Sequence, residues 1–325
     1  RLNIARFNIL ANQPSAAEFA INRMASCAPC SLKDKLYLKM LHAYLEALKH
    51  SGNDQKLTMV NPSSSLLAGS VLVLIVCDDE ARYAEIQENI RATCAELDGI
   101  VVSYKQCKET KRWISYLDFL QDENYGCVVI VQKNANFCNV NFFADIAIGL
   151  ERYDVISTGG AKCWDRLDWR LSPLDNKVQS FLIPSGEMNG FYEVSYTGCE
   201  AVNVLTGNMQ VLDGGILAIK TEKLRLLDIA SLFDPLLEGG GVLQEEYFTH
   251  AVFKAGLSLG VHQNLGVIFD WRITVAQDNI DDVREHITQK MSFDPFLDAD
   301  EDRTSLSIPV SSAVQGVQVI GEFLR

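Results

Sequence analysis

The sequence predicts an α/β fold: a mostly parallel central sheet with helices on both faces, preceded by an N-terminal helical hairpin. Three observations predict it. Val71-Leu72-Val73-Leu74-Ile75-Val76 is an unbroken apolar run, as expected of a strand buried on both faces. From residue 71 to residue 157, strand-like runs alternate with segments of helical periodicity. A βαβαβαβ order implies parallel strands joined by crossover helices. Residues 14–50 differ, with two successive helical patterns split by Ala28-Pro29.

In chain order, Ser15 and Glu18 form a capping box at the start of the first helix, whose stripe is Phe19, Ala20 and Met24. Ser31 caps a second helix with Leu36, Met40 and Leu48 on one face. Pro62-Ser63-Ser64-Ser65 reads as a linker. The expected division is therefore residues 1–66 for hairpin and linker, 67–276 for the α/β domain, and 277–325 for a C-terminal helix and strand-like tail. Within the α/β domain, Cys77-Asp78-Asp79-Glu80 opens a helix with Tyr83, Ile86 and Ile90 on its buried face. Strands are expected at 99–104, 127–131 and 154–157, and helices at 113–120 and 142–150. Residues 160–200 are rich in Trp, Asp, Pro and Gly and read as a long loop region, of the kind that covers active sites. Beyond them, strands are expected at 202–205, 210–212, 215–219 and 265–269, and a helix at 281–291. The tail reads as strand-like at 307–310 and 314–320.

Composition narrows the function. The 325 residues are enough for a sizeable core. A net charge of −13 argues against a nucleic-acid partner, which needs clustered Lys and Arg. No apolar run reaches the ~18 residues of a transmembrane helix. Nine cysteines, an odd number, sit mostly in apolar patterns. Reduced core thiols of this kind point to the cytoplasm, with membrane association through a partner left open. Cys27-Ala28-Pro29-Cys30 is a CxxC between two helical patterns, without a second ligand pair at zinc spacing, and reads as a turn.

The chemistry concentrates between Asp213 and Asp270. Asp213-Gly214-Gly215 opens an apolar strand, Phe233-Asp234-Pro235 follows, and Gly239-Gly240-Gly241 leads into Gln244-Glu245-Glu246 at the start of a helix that ends at Ala255-Gly256. A buried strand, flexible glycines and an acid at a helix start are how a chain presents a carboxylate to a cleft. The order and spacing of these segments, after a βαβ sheet, resemble a GT-A fold nucleotide-sugar glycosyltransferase, closest to the inverting family 2 type. The resemblance covers about two thirds of the chain, roughly residues 71–275.

That resemblance implies a Rossmann-like sheet, a nucleoside-diphosphate sugar as co-substrate, and a glycan, lipid-linked or protein acceptor. It implies that Glu245 is the general base, with Glu246 the alternative if the register slips by one. The bland reading of both acids is a helix N-terminus matched to its dipole. Asp78 and Asp79 close the first strand, where relatives contact the nucleotide, although an N-cap is an equally good reading of an acid there. Tyr104 could stack on the base. Relatives carry a DxD motif after the third strand whose acids hold Mg or Mn. Here Lys133-Asn134-Ala135-Asn136 stands instead, with both acids replaced by amides and Lys133 free to meet the diphosphate. Asp270 could replace a missing metal ligand, and Arg272 could meet phosphate. The DxD of Asp298-Ala299-Asp300 lies in the tail and reads as a solvated loop. On the acceptor side stand Trp164, Asp213 and Gly214, although Trp164 reads equally well as a loop anchor. The altered DxD keeps a second reading open, a catalytically inactive GT-A-like binding or scaffold domain whose hairpin docks a partner. A nucleotidyltransferase would need a Gly-rich Arg/Lys signature after the first strand, which is not seen.

Overall fold

The computed structural model describes residues 18, 19, 22, 23, 70–95, 97, 99–109, 112–173, 176–184, 192–198, 205–234, 243–263, 265–269, 280–291 and 306–310. Of the expected hairpin, Glu18, Phe19, Asn22 and Arg23 are described and are helical. The CxxC, the 62–65 linker, Asp270, Arg272, the 298–302 acids and the 314–320 segment lie outside the described residues.

The first sheet starts from the apolar run. β1 (Ser70–Val76) pairs in parallel with β2 (Val101–Cys107) on one side and β3 (Cys127–Gln132) on the other. The chain thus reverses its direction of winding beside β1, and in open α/β sheets ligands bind beyond the carboxyl ends of the strands at such a switch point. The full order is β2-β1-β3-β11-β5-β12-β9. β5 (Val155–Ser157) and β12 (Leu259–His262) run with β1, whereas β9 (Leu205–Thr206) and β11 (Ile216–Lys220) run against it. Five of the seven strands therefore share one direction, a mixed but mostly parallel sheet.

Helices cover both faces, and β1 divides its side chains between them. Leu72, Leu74 and Val76 join a core with Tyr116 and Leu120 of α2 (Arg112–Gln121), Phe248 and Val252 of α5 (Gln244–Lys254), and Ile287 of α6 (Ile280–Met291). Val71, Val73 and Ile75 pack against Ile86 and Ile90 of α1 (Glu80–Thr93) and Phe142 and Ile146 of α3 (Phe142–Arg152). A short helix, α4 (Thr221–Leu224), follows β11. No described helix is long and apolar enough to cross a membrane.

Residues 160–200 correct the expectation of a loop region. They contain β6 (Gly159–Ala161), β7 (Lys177–Pro184) and β8 (Tyr192–Gly198) of a second sheet, ordered β10-β6-β7-β13-β4. Its other members are β4 (Ala135–Phe137), β10 (Val211–Leu212), β13 (Val267–Phe269) and, pairing β8, β14 (Leu306–Val310). β8 pairs along β7 from Val178 to Pro184, while β6 and β13 pair β7 at its first and later residues. β6 is only three residues long, but β8 alternates apolar and polar residues through Tyr192-Glu193-Val194-Ser195-Tyr196-Thr197, a period-two signal that the loop reading overlooks. A 3-10 turn, Trp169–Leu171, sits between β6 and β7.

Candidate active site at the carboxyl edge of the sheet

The carboxyl ends of β1, β3 and β5 and the start of antiparallel β11 lie on one edge of the first sheet. This edge gathers Asp78 and Asp79, Lys133 and Asn134, and Asp213 with its two glycines. Ser157 Oγ donates to the carbonyl of Asp213 at 2.8 Å, and Asp213 Oδ1 accepts from Gly215 N at 2.7 Å, which fixes the turn. The glycines are a steric requirement. A Cβ on Gly214 would stand 2.7 Å from Glu245 Cβ, and one on Gly215 would stand 2.6 Å from the Phe269 ring. The start of α5 therefore seats directly on the Asp213 turn.

Glu245 and Glu246 occupy the first turn of α5, and both are buried. Leu243, just before the helix, has φ 79°, a left-handed conformation costing a non-glycine residue on the order of 1 kcal/mol or more. The fold holds it there by burying its side chain in the core.

The two acids meet different surroundings. Glu245 Oε1 accepts from Arg112 Nη1 at 2.8 Å, Tyr116 Oη at 2.8 Å and Gln132 Nε2 at 3.0 Å. Arg112 and Tyr116 lie one turn apart on the same face of α2. Gln132 follows Val128 and Ile130 in the alternation of β3 and so faces α2 and α5. Burial and the Glu245 charge push the Tyr116 phenol well above its ordinary range. Among the described residues, Glu246 has a single cation near it: Arg170 Nη2 lies 3.7 Å from its Oε1. That same nitrogen donates to Asp213 Oδ2 at 2.5 Å. Burial, opposed by Arg170 but reinforced by Asp213 and Glu245, pushes the Glu246 carboxyl up to about 8. Arg170 also stacks on Trp169, its guanidinium 4.9 Å from the ring centre, above a fully buried indole.

The nucleotide side expected from the sequence is occupied by internal contacts. Asp79 caps α1, its Oδ1 accepting from Ala81 N at 2.8 Å. Asp78 Oδ1 accepts from Glu109 N at 3.0 Å. Lys133 Nζ pairs with Glu109 Oε1 at 2.7 Å. Arg82 donates through Nε to the Lys133 carbonyl at 2.8 Å and through Nη2 to Asn136 Oδ1 at 3.3 Å. Asn134 Oδ1 is buried without a hydrogen-bond partner.

These residues do not fit a divalent cation. Neutral amides are poor ligands for a hard cation, and the one on Asn136 already faces a guanidinium. Among the described residues, no three His, Cys, Asp or Glu side chains are grouped to hold a metal.

Two expected site residues stand apart from this edge. β2 continues to Cys107, so Tyr104 falls in mid-strand opposite Val73, with Arg91 over its ring at 4.9 Å. Trp164 is buried and donates Nε1–H to the Leu167 carbonyl at 3.4 Å, its ring edge-on to His250. It anchors the segment on the core. Sequence reading missed Arg112, Tyr116 and Gln132, and Arg170 falls within the 160–200 region that it takes for a loop. A polar Gln ending an otherwise apolar strand was the one local signal available.

No family model and no curated protein matches this sequence. Among solved structures, the chain is similar to the crystal structure of A197 from STIV, at 13% identity and a TM-score of 0.33, over 59% of this chain and 81% of that one. It is also similar to the mannosyltransferase PcManGT from Pyrobaculum calidifontis in complex with GDP-Man and Mn2+, at 14% identity and a TM-score of 0.35, over 90% of this chain and 79% of that one. Both scores lie below 0.5, so the fold is described from the chain's own topology.

Proposed function

We propose that this chain transfers a sugar from a nucleoside diphosphate donor to a hydroxyl acceptor, with inversion at the anomeric carbon. The observation that carries the reading is the Glu245-Glu246 pair, two buried carboxylates in the first turn of α5, seated against Asp213 and Gly214 at the carboxyl edge of the parallel strands. Sequence resemblance supplies the substrate class. One carboxylate of the pair takes the acceptor's proton as the acceptor oxygen attacks the sugar. Lys133, at the end of β3, meets the departing diphosphate by exchanging Glu109 for a phosphate oxygen. Arg272 has the chemistry for the same task, and no step runs through a metal.

Incubation of the full chain with a panel of nucleotide sugars and simple hydroxyl acceptors, with and without manganese, tests this. Calorimetry follows donor binding, and product analysis follows transfer. The Glu245→Gln/Glu246→Gln double variant is expected to bind donor and to transfer nothing. Full turnover by that variant sinks the assignment. A second reading is a binding domain without catalysis. It is favoured by the pairing of Lys133 with Glu109 and of Arg82 with Asn136, which leaves the donor side internally satisfied. Donor binding by the wild-type chain without transfer to any acceptor selects it.

A further inference from the structure

Within the transferase reading, on which this inference rests, we propose that Glu246 is the proton acceptor and that Asp213 controls it by drawing the Arg170 guanidinium away. Glu245 is then a positioning residue.

Glu245 is poorly suited to take a proton at Oε1. Three donors from two elements converge on that oxygen, which leaves it no lone pair to offer an acceptor hydroxyl. Oε2 stands 3.3 Å from the position a Cβ on Gly214 would take, so the side chain lies folded over the Asp213 turn. These bonds fix the start of α5 to α2 and β3.

Glu246 is the reverse case. No described side chain hydrogen-bonds to its carboxyl. Its one cation among the described residues sits at 3.7 Å, beyond hydrogen-bond reach, because Asp213 holds the same Nη2 more closely. The charged groups around it are Arg170 and Asp168 on the 3-10 turn, Asp213 before β11, and Glu245 on its own helix, with Arg112 behind Glu245. Two of these acids raise its proton affinity, and Arg170 is shared with a competitor. The result is a carboxyl poised near 8, a strong base once ionised. In the step itself, the acceptor O–H proton moves to a Glu246 oxygen. The acceptor oxygen forms a bond to the anomeric carbon. The bond from that carbon to the donor diphosphate breaks, its electron pair leaving on the diphosphate. The proton is later released to solvent.

The experiment has a substrate-free arm and a kinetic arm, both on the full chain. Infrared titration is expected to show a protonated carboxylic acid at pH 7 that disappears above about pH 8 and is absent from Glu246→Gln. In the kinetic arm, wild-type kcat/KM is expected to rise about tenfold per pH unit below about 8 and then level. Glu246→Gln is expected to lose on the order of 10²–10⁴-fold in rate with donor affinity kept, and Glu246→Asp to recover part of it. Asp213→Asn is expected to move the pH inflection and the infrared transition downward together, since it removes one negative charge and frees Arg170; a merely structural Asp213 would not move both. An acid band missing at pH 7, or one that Glu246→Gln leaves unchanged, overturns the inference whether or not transfer occurs. So does a Glu246→Gln variant within threefold of wild type while a folded Glu245→Gln is inactive. No transfer by the wild-type chain with any donor, with the acid band present, overturns the catalytic role together with the transferase reading.

Discussion

Arg112 and Glu245 form a buried ion pair linking residues far apart in the chain, and such pairs are costly to break singly. Removing one partner leaves the other charge buried and uncompensated, at about 3–5 kcal/mol. Arg112→Met is therefore expected to lower unfolding free energy by about that much in a urea titration, and Glu245→Gln in the same background is expected to return part of the loss. A smaller change makes the same point about fit. Gly214→Ala puts a methyl group 2.7 Å from Glu245 Cβ, against a helix rather than a flexible side-chain tip. Overpacking of this kind costs about 1–3 kcal/mol, and transfer is expected to fall before the fold does, since α5 must lift. Thermal melts beside donor-dependent rates check this. The acids and the glycines of this site were legible in the sequence because they are neighbours, Asp213-Gly214-Gly215 and Gln244-Glu245-Glu246. Their partners were not. Arg112, Tyr116 and Gln132 stand more than a hundred residues before Glu245, and only folding makes them adjacent.

The elements that hold the site differ in how firmly each is tied down. β1 from Val71 onward and all of β3 are buried, whereas among the described side chains of α6 only Ile287 is fully buried. Asp234, which is buried, accepts from His286 Nε2 at 2.8 Å and Lys290 Nζ at 2.7 Å. Lys290 also sits over the Tyr247 ring of α5 at 4.8 Å. Hydrogen bonds to charged groups contribute roughly 1.5–3 kcal/mol each. Asp234→Asn is thus expected to speed amide exchange across α6 at least about tenfold while leaving β1 and β3 protected. Equal acceleration in all three elements would show that α6 opens only with the whole molecule. The same contrast governs legibility. β1, α1 and α5 announced themselves through unbroken or periodic apolar runs. Of the second sheet, β10, β13 and β14 fall in expected strands, whereas β4 and β6 are three residues each and take their definition from partners across the fold. β2 was read short because its end is polar, Lys105-Gln106-Cys107, and that error moved Tyr104 to an edge it does not occupy.

At the scale of the molecule, three titrating groups set opposing demands on pH. Glu246 is raised from an ordinary 4.5 to about 8 by burial, so the stability its proton gives is complete below 4.5 and is lost as pH rises through 8. Asp145, half-buried on α3, is raised by burial from 3.8 to about 6, and its contribution is lost as pH rises through 6. His262 on β12, whose Nε2 lies 3.8 Å from Asp145, is lowered by burial from 6.5 to about 4. Its contribution is complete above 6.5 and is lost as pH falls through 4. The buried thiols of Cys94, Cys127 and Cys138, pushed up to about 12, act only at higher pH. The net charge of −13 adds self-repulsion as acids ionise. Stability is therefore expected to be highest in acidic solution, about pH 4–5, and to decline progressively up to about pH 8, where the Glu246 contribution is exhausted. A shift as large as that of Glu246 corresponds to several kcal/mol, which makes it the largest contributor to that decline. Urea unfolding of wild type and Glu246→Gln from pH 5 to pH 9 separates the terms. The variant is expected to keep the loss below pH 6 that belongs to Asp145 and to lack most of the decline between pH 6 and pH 8. Parallel curves for the two proteins would mean that Glu246 is already ionised in the folded chain at neutral pH, and that its proton is governed by solvent rather than by Arg170 and Asp213.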